Sequence, residues 1–303
     1  MITLLVLIPA EFEEKTYEGT LYNQLERGQR NLFTPGQVME GTVGFDRGLF
    51  LSQVALWQTL GYKAPLYGAA LAYYDWPITW GPARPRSQLP NFKLNLFLQT
   101  KRPKYYKRRP RSVAKLAGTR APLWAFHITS HQQRLLEVLA DTTQSRAHVA
   151  YACAAFHTNA ALFAHMKNRT IVENSTFPSV SRLSGHNAWY YWSAGSSGAA
   201  NPDRENIEEP SLFDRIRTLS RENKGYEAGD ITWLDVTARE VVASVLKLEG
   251  QTDAVSAHFL DDLQTLSRLA ESYAIEPSLL AYAQISLFSI RFDLSWLVVT
   301  DTV

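Results

Sequence analysis

Leu94-Asn95-Leu96-Phe97-Leu98-Gln99-Thr100-Lys101 is the stretch on which the fold turns. Phe92–Thr100 reads as a β-strand, and Pro103 ends its pairing because proline has no amide hydrogen to give. Side chains alternate across a strand, so Asn95, Phe97, Gln99 and Lys101 face one way. Leu94, Leu96 and Leu98 face the other, toward a helix layer. Leu94–Leu98 looks like a central strand whose end opens into a cleft.

Downstream, Lys104–Arg120 reads as a basic loop with Tyr105 and Tyr106 in it. Ser130 followed by Gln133 resembles a capping box, opening a helix to about Ala140 with Leu135, Val138 and Leu139 on one face. His148–Ala155 follows as a strand, and the order strand, basic loop, helix, strand points to a mixed α/β layer. Upstream, Thr16–Gln29 reads as a helix, with Glu18, Leu21, Tyr22 and Leu25 at i, i+3, i+4 and i+7 on one face. Glu18 ends an apolar stripe, where a carboxylate is costly unless it meets a cation, a donor or water. Between these helices and strands, Thr34-Pro35-Gly36 reads as a turn, Val43–Leu51 as a strand and Pro77–Pro90 as a loop. From Val172 to Pro210 the chain is rich in Ser, Gly, Asn and aromatics, and beyond Glu208 it becomes amphipathic and helical. The spacing predicts helices over Ser211–Glu222, Thr232–Leu248, Ala254–Tyr273 and Ser278–Leu297. The expected fold is α/β: a mixed central sheet flanked by helices in residues 1–205, then a mainly helical region over 206–303.

The charge is segregated. The whole chain has 31 Lys and Arg against 29 Asp and Glu. Thirteen of those cations, and none of the acids, lie between Trp76 and Leu136, which leaves 18 cations against 29 acids elsewhere. So concentrated a positive field points to a polyanion such as nucleic acid. One cysteine, Cys153, excludes an internal disulfide and makes a reducing cytoplasm the expected compartment. Ile2–Ile8 is apolar but has no basic residue before it and Glu11, Glu13 and Glu14 after it, a poor secretion signal; it reads as a buried first strand or a helix start. Ile285–Val299 is interrupted by Arg291 and Asp293 and is too short to span a bilayer, so a soluble protein without a membrane partner is expected.

Hydrolysis of a phosphodiester needs a hard cation, a positioned water and positive charge near the developing phosphorane. Magnesium takes carboxylate oxygens together with amide or main-chain oxygens, and a nearby lysine can orient the water. Gln99 and Lys101 at one strand end, with Asp46 on a neighbouring strand and Glu18 on a packed helix, could supply this set. Gly44-Phe45-Asp46, the apolar strand ending Gln99-Thr100-Lys101, and the preceding helix with Glu18 resemble the PD-(D/E)XK nuclease superfamily. Within it the likeness is to the Mrr-like restriction endonucleases, in which glutamine often replaces the motif acid. The resemblance covers roughly residues 14–155. It implies a restriction-endonuclease-like core and a Mg²⁺- or Mn²⁺-dependent endonuclease acting on DNA, in restriction or in defence against foreign DNA. It makes Asp46, Gln99, the Thr100 carbonyl and Glu18 metal ligands, and it makes Lys101 the residue that serves the water. Glu40 matches an acid sometimes found just before the aspartate, and Glu14 is a substitute for Glu18. Arg102, Lys104, Lys107, Arg108, Arg109, Arg111 and Lys115 would hold phosphates without reading sequence. The helical C-terminal half is the expected surface for a second copy or another partner.

Competing interpretations attach to the same residues. Glutamine at the motif acid permits a catalytically inactive nucleic-acid-binding or scaffolding protein on a nuclease-like fold. Trp189-Tyr190-Tyr191-Trp192 reads as core rather than as a platform for bases. Cys153, His157 and His165 invite a zinc interpretation, but their spacing is irregular. Ser184-Gly185-His186 suggests a serine hydrolase, but it does not match the Gly-x-Ser-x-Gly elbow.

Overall fold

A computed structural model describes residues 7–28, 32–33, 91–107, 122–195, 198–201, 206–227, 230–248, 254–272 and 277–300. The turn at residues 34–36, the strand expected over 43–51 and the loop over 77–90 lie outside them. In chain order the elements are β1 (Leu7–Pro9), α1 (Glu14–Gly28), β2 (Leu32–Phe33), β3 (Phe92–Lys101), β4 (Lys104–Tyr106) and β5 (Trp124–His127). Then come α2 (Ser130–Thr143), β6 (Ala147–Ala154), α3 (Asn159–Asn168), β7 (Ser175–Thr176), β8 (Ala188–Tyr191), β9 (Gly198–Asn201) and β10 (Asn206–Ile207). The chain continues through α4 (Leu212–Glu222), α5 (Thr232–Leu246), α6 (Ala254–Ser272), α7 (Pro277–Arg291) and β11 (Ser295–Thr300).

Two sheets organise these elements. A mixed sheet runs β2-β11-β3-β6-β7, with β3 and β6 parallel and the other pairs antiparallel. An antiparallel sheet runs β1-β4-β5-β8-β9-β10. The alternation read from sequence holds in β3, and the two sets of side chains enter different cores. Leu94, Leu96 and Leu98 pack with Tyr17, Leu21 and Leu25 of α1 and with Leu212, Ile216 and Leu219 of α4. Phe97 enters a larger core with α2, α5, α6 and α7, where Val149, Tyr151 and Cys153 of β6 meet Trp124, Phe126, Trp189 and Tyr191 of the antiparallel sheet. Trp189 and Tyr191 are therefore core residues, as their aromatic density suggested.

Several expectations need correction. The apolar run read as a helix to Leu297 breaks after Arg291, where Asp293 takes a positive φ of 54° and sends the chain back as β11. The last element of the helical half is thus a strand, buried between β2 and β3. The boundary expected near residue 205 falls between β9 and β10, which pair in one sheet, and one core draws on both sides of it. The capping box at Ser130 does not form. Thr129 is the N-cap without a side-chain cap bond, and the Gln133 amide instead donates to the Val180 carbonyl (2.9 Å) and accepts from the Tyr151 hydroxyl (2.8 Å). Lys104–Tyr106, placed in a basic loop, forms β4 between β1 and β5. Among the described residues no helix is long and apolar enough to cross a membrane.

Gly225 shows how tightly the start of β3 is held. Its φ is +72°, and an added Cβ would come within 2.5 Å of the Phe92 carbonyl oxygen, so only glycine fits without displacement. Tyr226 next to it donates its backbone N–H to that same oxygen at 2.9 Å.

Burial, with the Arg215 guanidinium of α4 nearby, pushes the imidazole of His148 on β6 down to about 4 from its ordinary 6.5. The histidine stays neutral in the folded chain while the unfolded chain takes up a proton, so stability falls as pH drops through this window. The shift corresponds to about 3 kcal/mol. Denaturation midpoints measured from pH 7 to pH 4 should decline less steeply in His148→Gln than in the wild type. Equal slopes would remove His148 as the source.

Candidate active site at the end of the central strand

β3 is paired on both sides along Asn95–Leu98, by β11 and by β6. Past Leu98 the β11 partner stops at Ser295, while β6 continues beside Gln99, Thr100 and Lys101. Beyond Leu98 the β11 side of β3 has no strand partner among the described residues. Asp46 and Glu40 lie outside the described residues.

Gln99 and Lys101 lie on the α2 face. The helix leading to a parallel strand runs back along the sheet, which brings its first turn to the C-terminal end of the strand before it. Gln132, in that first turn, accepts a hydrogen bond from the Lys101 ammonium (2.6 Å) and donates its amide to Gln99 Oε1. Gln99 Nε2 donates to the Thr100 carbonyl at 3.3 Å. The Lys101 ammonium also sits 5.9 Å from the centre of the Tyr151 ring. Burial lowers the pKa of Lys101 from its ordinary value, and the carboxylates of Glu14 and Asp293 work against that shift.

Thr100 faces the other way, toward α1. Its hydroxyl donates to Glu14 Oε1 at 3.3 Å. Burial raises the Glu14 pKa, the Lys101 cation opposes this, and Asp293 adds to it. Glu18, one turn further along α1, is 8 % exposed and has a structural setting. It accepts from the Ser295 hydroxyl (2.6 Å) and pairs with Lys15 (2.7 Å), which also reaches Asp293 (2.6 Å). The cost foreseen for a carboxylate at the end of this stripe is thus met by a donor and a cation. Glu14 is the acid of α1 that touches the strand end, and Glu18 braces α1 against β11.

The donors here suit a hard cation in kind: a carboxylate on Glu14, an amide oxygen on Gln99 and a main-chain carbonyl on Thr100. In number they fall short. Among the described residues no three His, Cys, Asp or Glu side chains converge as a metal-holding group. The Gln99 and Thr100 oxygens already accept hydrogen bonds from side-chain amides.

The cationic residues are divided. Arg102 is engaged, donating from Nε (3.1 Å) and Nη2 to the Ala10 carbonyl and from Nη1 to Glu13. Lys104 lies on β4 and Lys107 is exposed just beyond it, while Arg108, Arg109, Arg111 and Lys115 lie outside the described residues. Cys153 is buried within β6, accepting from the Tyr191 hydroxyl (3.2 Å) and donating to the Lys101 carbonyl (3.0 Å). His157 stacks on Tyr105 and His165 meets Thr170. Ser184 lies in the turn whose next residue, Gly185, has a φ of 75°.

Gln132 carries no motif of its own in the sequence, where the capping-box pattern falls on the adjacent Gln133. The usable signal was a polar side chain in the first turn of a helix whose face covers the end of the central strand. Comparison with known proteins adds no assignment: no family model, no curated protein and no solved structure matches the chain.

The Glu18 brace yields a direct test. A buried carboxylate that loses its hydroxyl donor should cost about 1–2 kcal/mol. The Lys15 side chain is mostly solvent-exposed while Glu18 is buried, and the pair should contribute less than about 1 kcal/mol. Urea denaturation of Ser295→Ala and Lys15→Ala should rank them in that order, and the reverse ranking would show that the ion pair, not the hydroxyl, holds Glu18.

Proposed function

We propose that the protein is a metal-dependent nuclease that hydrolyses DNA phosphodiester bonds, as its resemblance to the PD-(D/E)XK superfamily implies. The observation that carries this reading is the part-buried Lys101 ammonium, held beside the Gln99 amide at the end of a central strand, with the Glu14 carboxylate against the intervening Thr100. Asp46, Glu14, the Gln99 amide oxygen and the Thr100 carbonyl are the groups that would hold Mg²⁺ or Mn²⁺. A bound dication there would polarise the scissile phosphate and acidify the attacking water. Lys101 orients that water and offsets charge on the phosphorane. Lys104 and Lys107, with the cationic run from Arg108 to Lys115, neutralise phosphates along the strand. A role in restriction or in defence against foreign DNA is part of the same proposal.

A second reading has its own support. The Gln99 and Thr100 oxygens already have donors, and one α1 carboxylate, Glu14, touches the strand end. An inactive nucleic-acid-binding or scaffolding protein would look like this.

Plasmid nicking in Mg²⁺ and in Mn²⁺, run beside DNA binding, separates the two. The nuclease reading expects Lys101→Ala, Asp46→Ala and Glu14→Gln each to lower cleavage by about a hundredfold or more while binding is kept. Glu18→Gln should retain cleavage within about threefold and lose stability instead. Log affinity should fall with log salt at a slope of roughly −5 if about six phosphates are neutralised. Binding without cleavage in either metal would leave the scaffolding reading standing.

A further inference from the structure

We infer that Gln132 is a positioning residue for the proposed hydrolysis, fixing the Lys101 ammonium and the Gln99 amide in a single arrangement. The inference rests on the nuclease reading of the strand end. Its geometric half stands apart from that reading.

A lysine ammonium has three hydrogens to give and no lone pair to accept with. The partner atom on Gln132, 2.6 Å from Lys101 Nζ, must therefore be the amide oxygen. That choice turns the Gln132 amide nitrogen toward Gln99, whose oxygen must then face Gln132. The Gln99 nitrogen is left for the Thr100 carbonyl. One cation thus sets the orientation of two amides in succession, with no freedom to reverse either.

The mounting of Gln132 is firm. It lies in the first turn of α2, and the adjacent Gln133 holds both the Val180 carbonyl and the Tyr151 hydroxyl. The Tyr151 ring so held is the one beneath the Lys101 ammonium. The two consecutive glutamines divide the work. Gln133 fixes the surface under the cation, and Gln132 fixes the cation itself.

Other groups facing Lys101 do not replace this contact. Glu14 of α1 and Asp293 of the turn before β11 act on it through their charge, and the Cys153 thiol of β6 is neutral and bound to the Lys101 carbonyl. Lys101 has four flexible bonds between backbone and nitrogen, so a single short hydrogen bond from a rigid helix decides where its charge sits. Misplacement of a catalytic group by about an ångström can cost on the order of a hundredfold in rate.

Two variants separate positioning from mere packing. Gln132→Met keeps the side-chain length and removes both polar ends. Gln132→Glu keeps an acceptor for Lys101 and loses the donor to Gln99. The first readout is the Lys101 ammonium signal in a nitrogen-15 correlation spectrum, assigned by its absence in Lys101→Arg. An ordered, hydrogen-bonded ammonium gives a distinct slow-exchanging signal. It should be present in the wild type and in Gln132→Glu, and lost in Gln132→Met. The second readout is cleavage, where Gln132→Met should lower kcat by about tenfold or more with KM within about twofold, and Gln132→Glu, which restores the Lys101 contact but not the Gln99 one, should recover only part of it. A Lys101 signal unchanged in Gln132→Met overturns the inference, as does an unchanged kcat. If the wild type cuts nothing in Mg²⁺ or Mn²⁺, the nuclease reading falls and the catalytic half of the inference with it. The spectrum alone then decides whether Gln132 orders Lys101.

Discussion

The amide of Asn95 lies in the middle of β3, where both faces of the mixed sheet are covered. It accepts from the Trp296 indole of β11 at 2.9 Å and donates to the Thr237 hydroxyl of α5 at 3.0 Å. A buried amide without partners costs about 1–3 kcal/mol, so each of these bonds fixes a neighbour in register. Together they tie the central strand to the strand beside it and to a helix above it, all three distant in sequence. From Leu94 to Thr100 every residue of β3 is buried, and polar side chains on it must find partners inside the protein. Asn95 does so with structural groups. Gln99 and Lys101, at the end, do so with a glutamine from the first turn of α2.

That contrast explains the division of labour along one strand. The middle uses a polar group to specify which elements meet. The end holds a buried amide and a part-buried cation two residues apart, with an acid against the residue between them. Cations and acids in such surroundings have shifted proton affinities, and here burial moves Lys101 down and Glu14 up while each opposes the shift of the other. These groups gather where β3 outruns β11 while β6 still pairs with it.

Sequence patterns of short range were readable. The apolar face of α1 and the alternation in β3 follow from local periodicity, and so do α4, α5 and α6. What was not readable depended on distant pairing. β11 follows α7 with only Arg291 and Asp293 breaking the apolar run, and period alone cannot separate a buried strand from a buried helix end. The separation is made by Asp293 in a left-handed conformation and by pairing with β3, some two hundred residues away. The short strands of the antiparallel sheet carry two to four residues each and leave almost no pattern. At the strand end, the shared face of Gln99 and Lys101 and the need for Glu18 to meet a cation, a donor or water were legible because each follows from position on one element. Gln132 and the closer placement of Glu14 required knowing which helix ends where.

The insertion of β11 has a consequence for how the chain is made. Residues 92–101 emerge from the ribosome long before residues 295–300, which cover one side of β3 along Phe92–Leu98. Among the described strands no other fills that side. Throughout the intervening synthesis a run as apolar as Phe-Lys-Leu-Asn-Leu-Phe-Leu offers an open ladder to any passing chain. The order of the strands thus leaves that side of β3 to be covered only once residues 295–300 have been made.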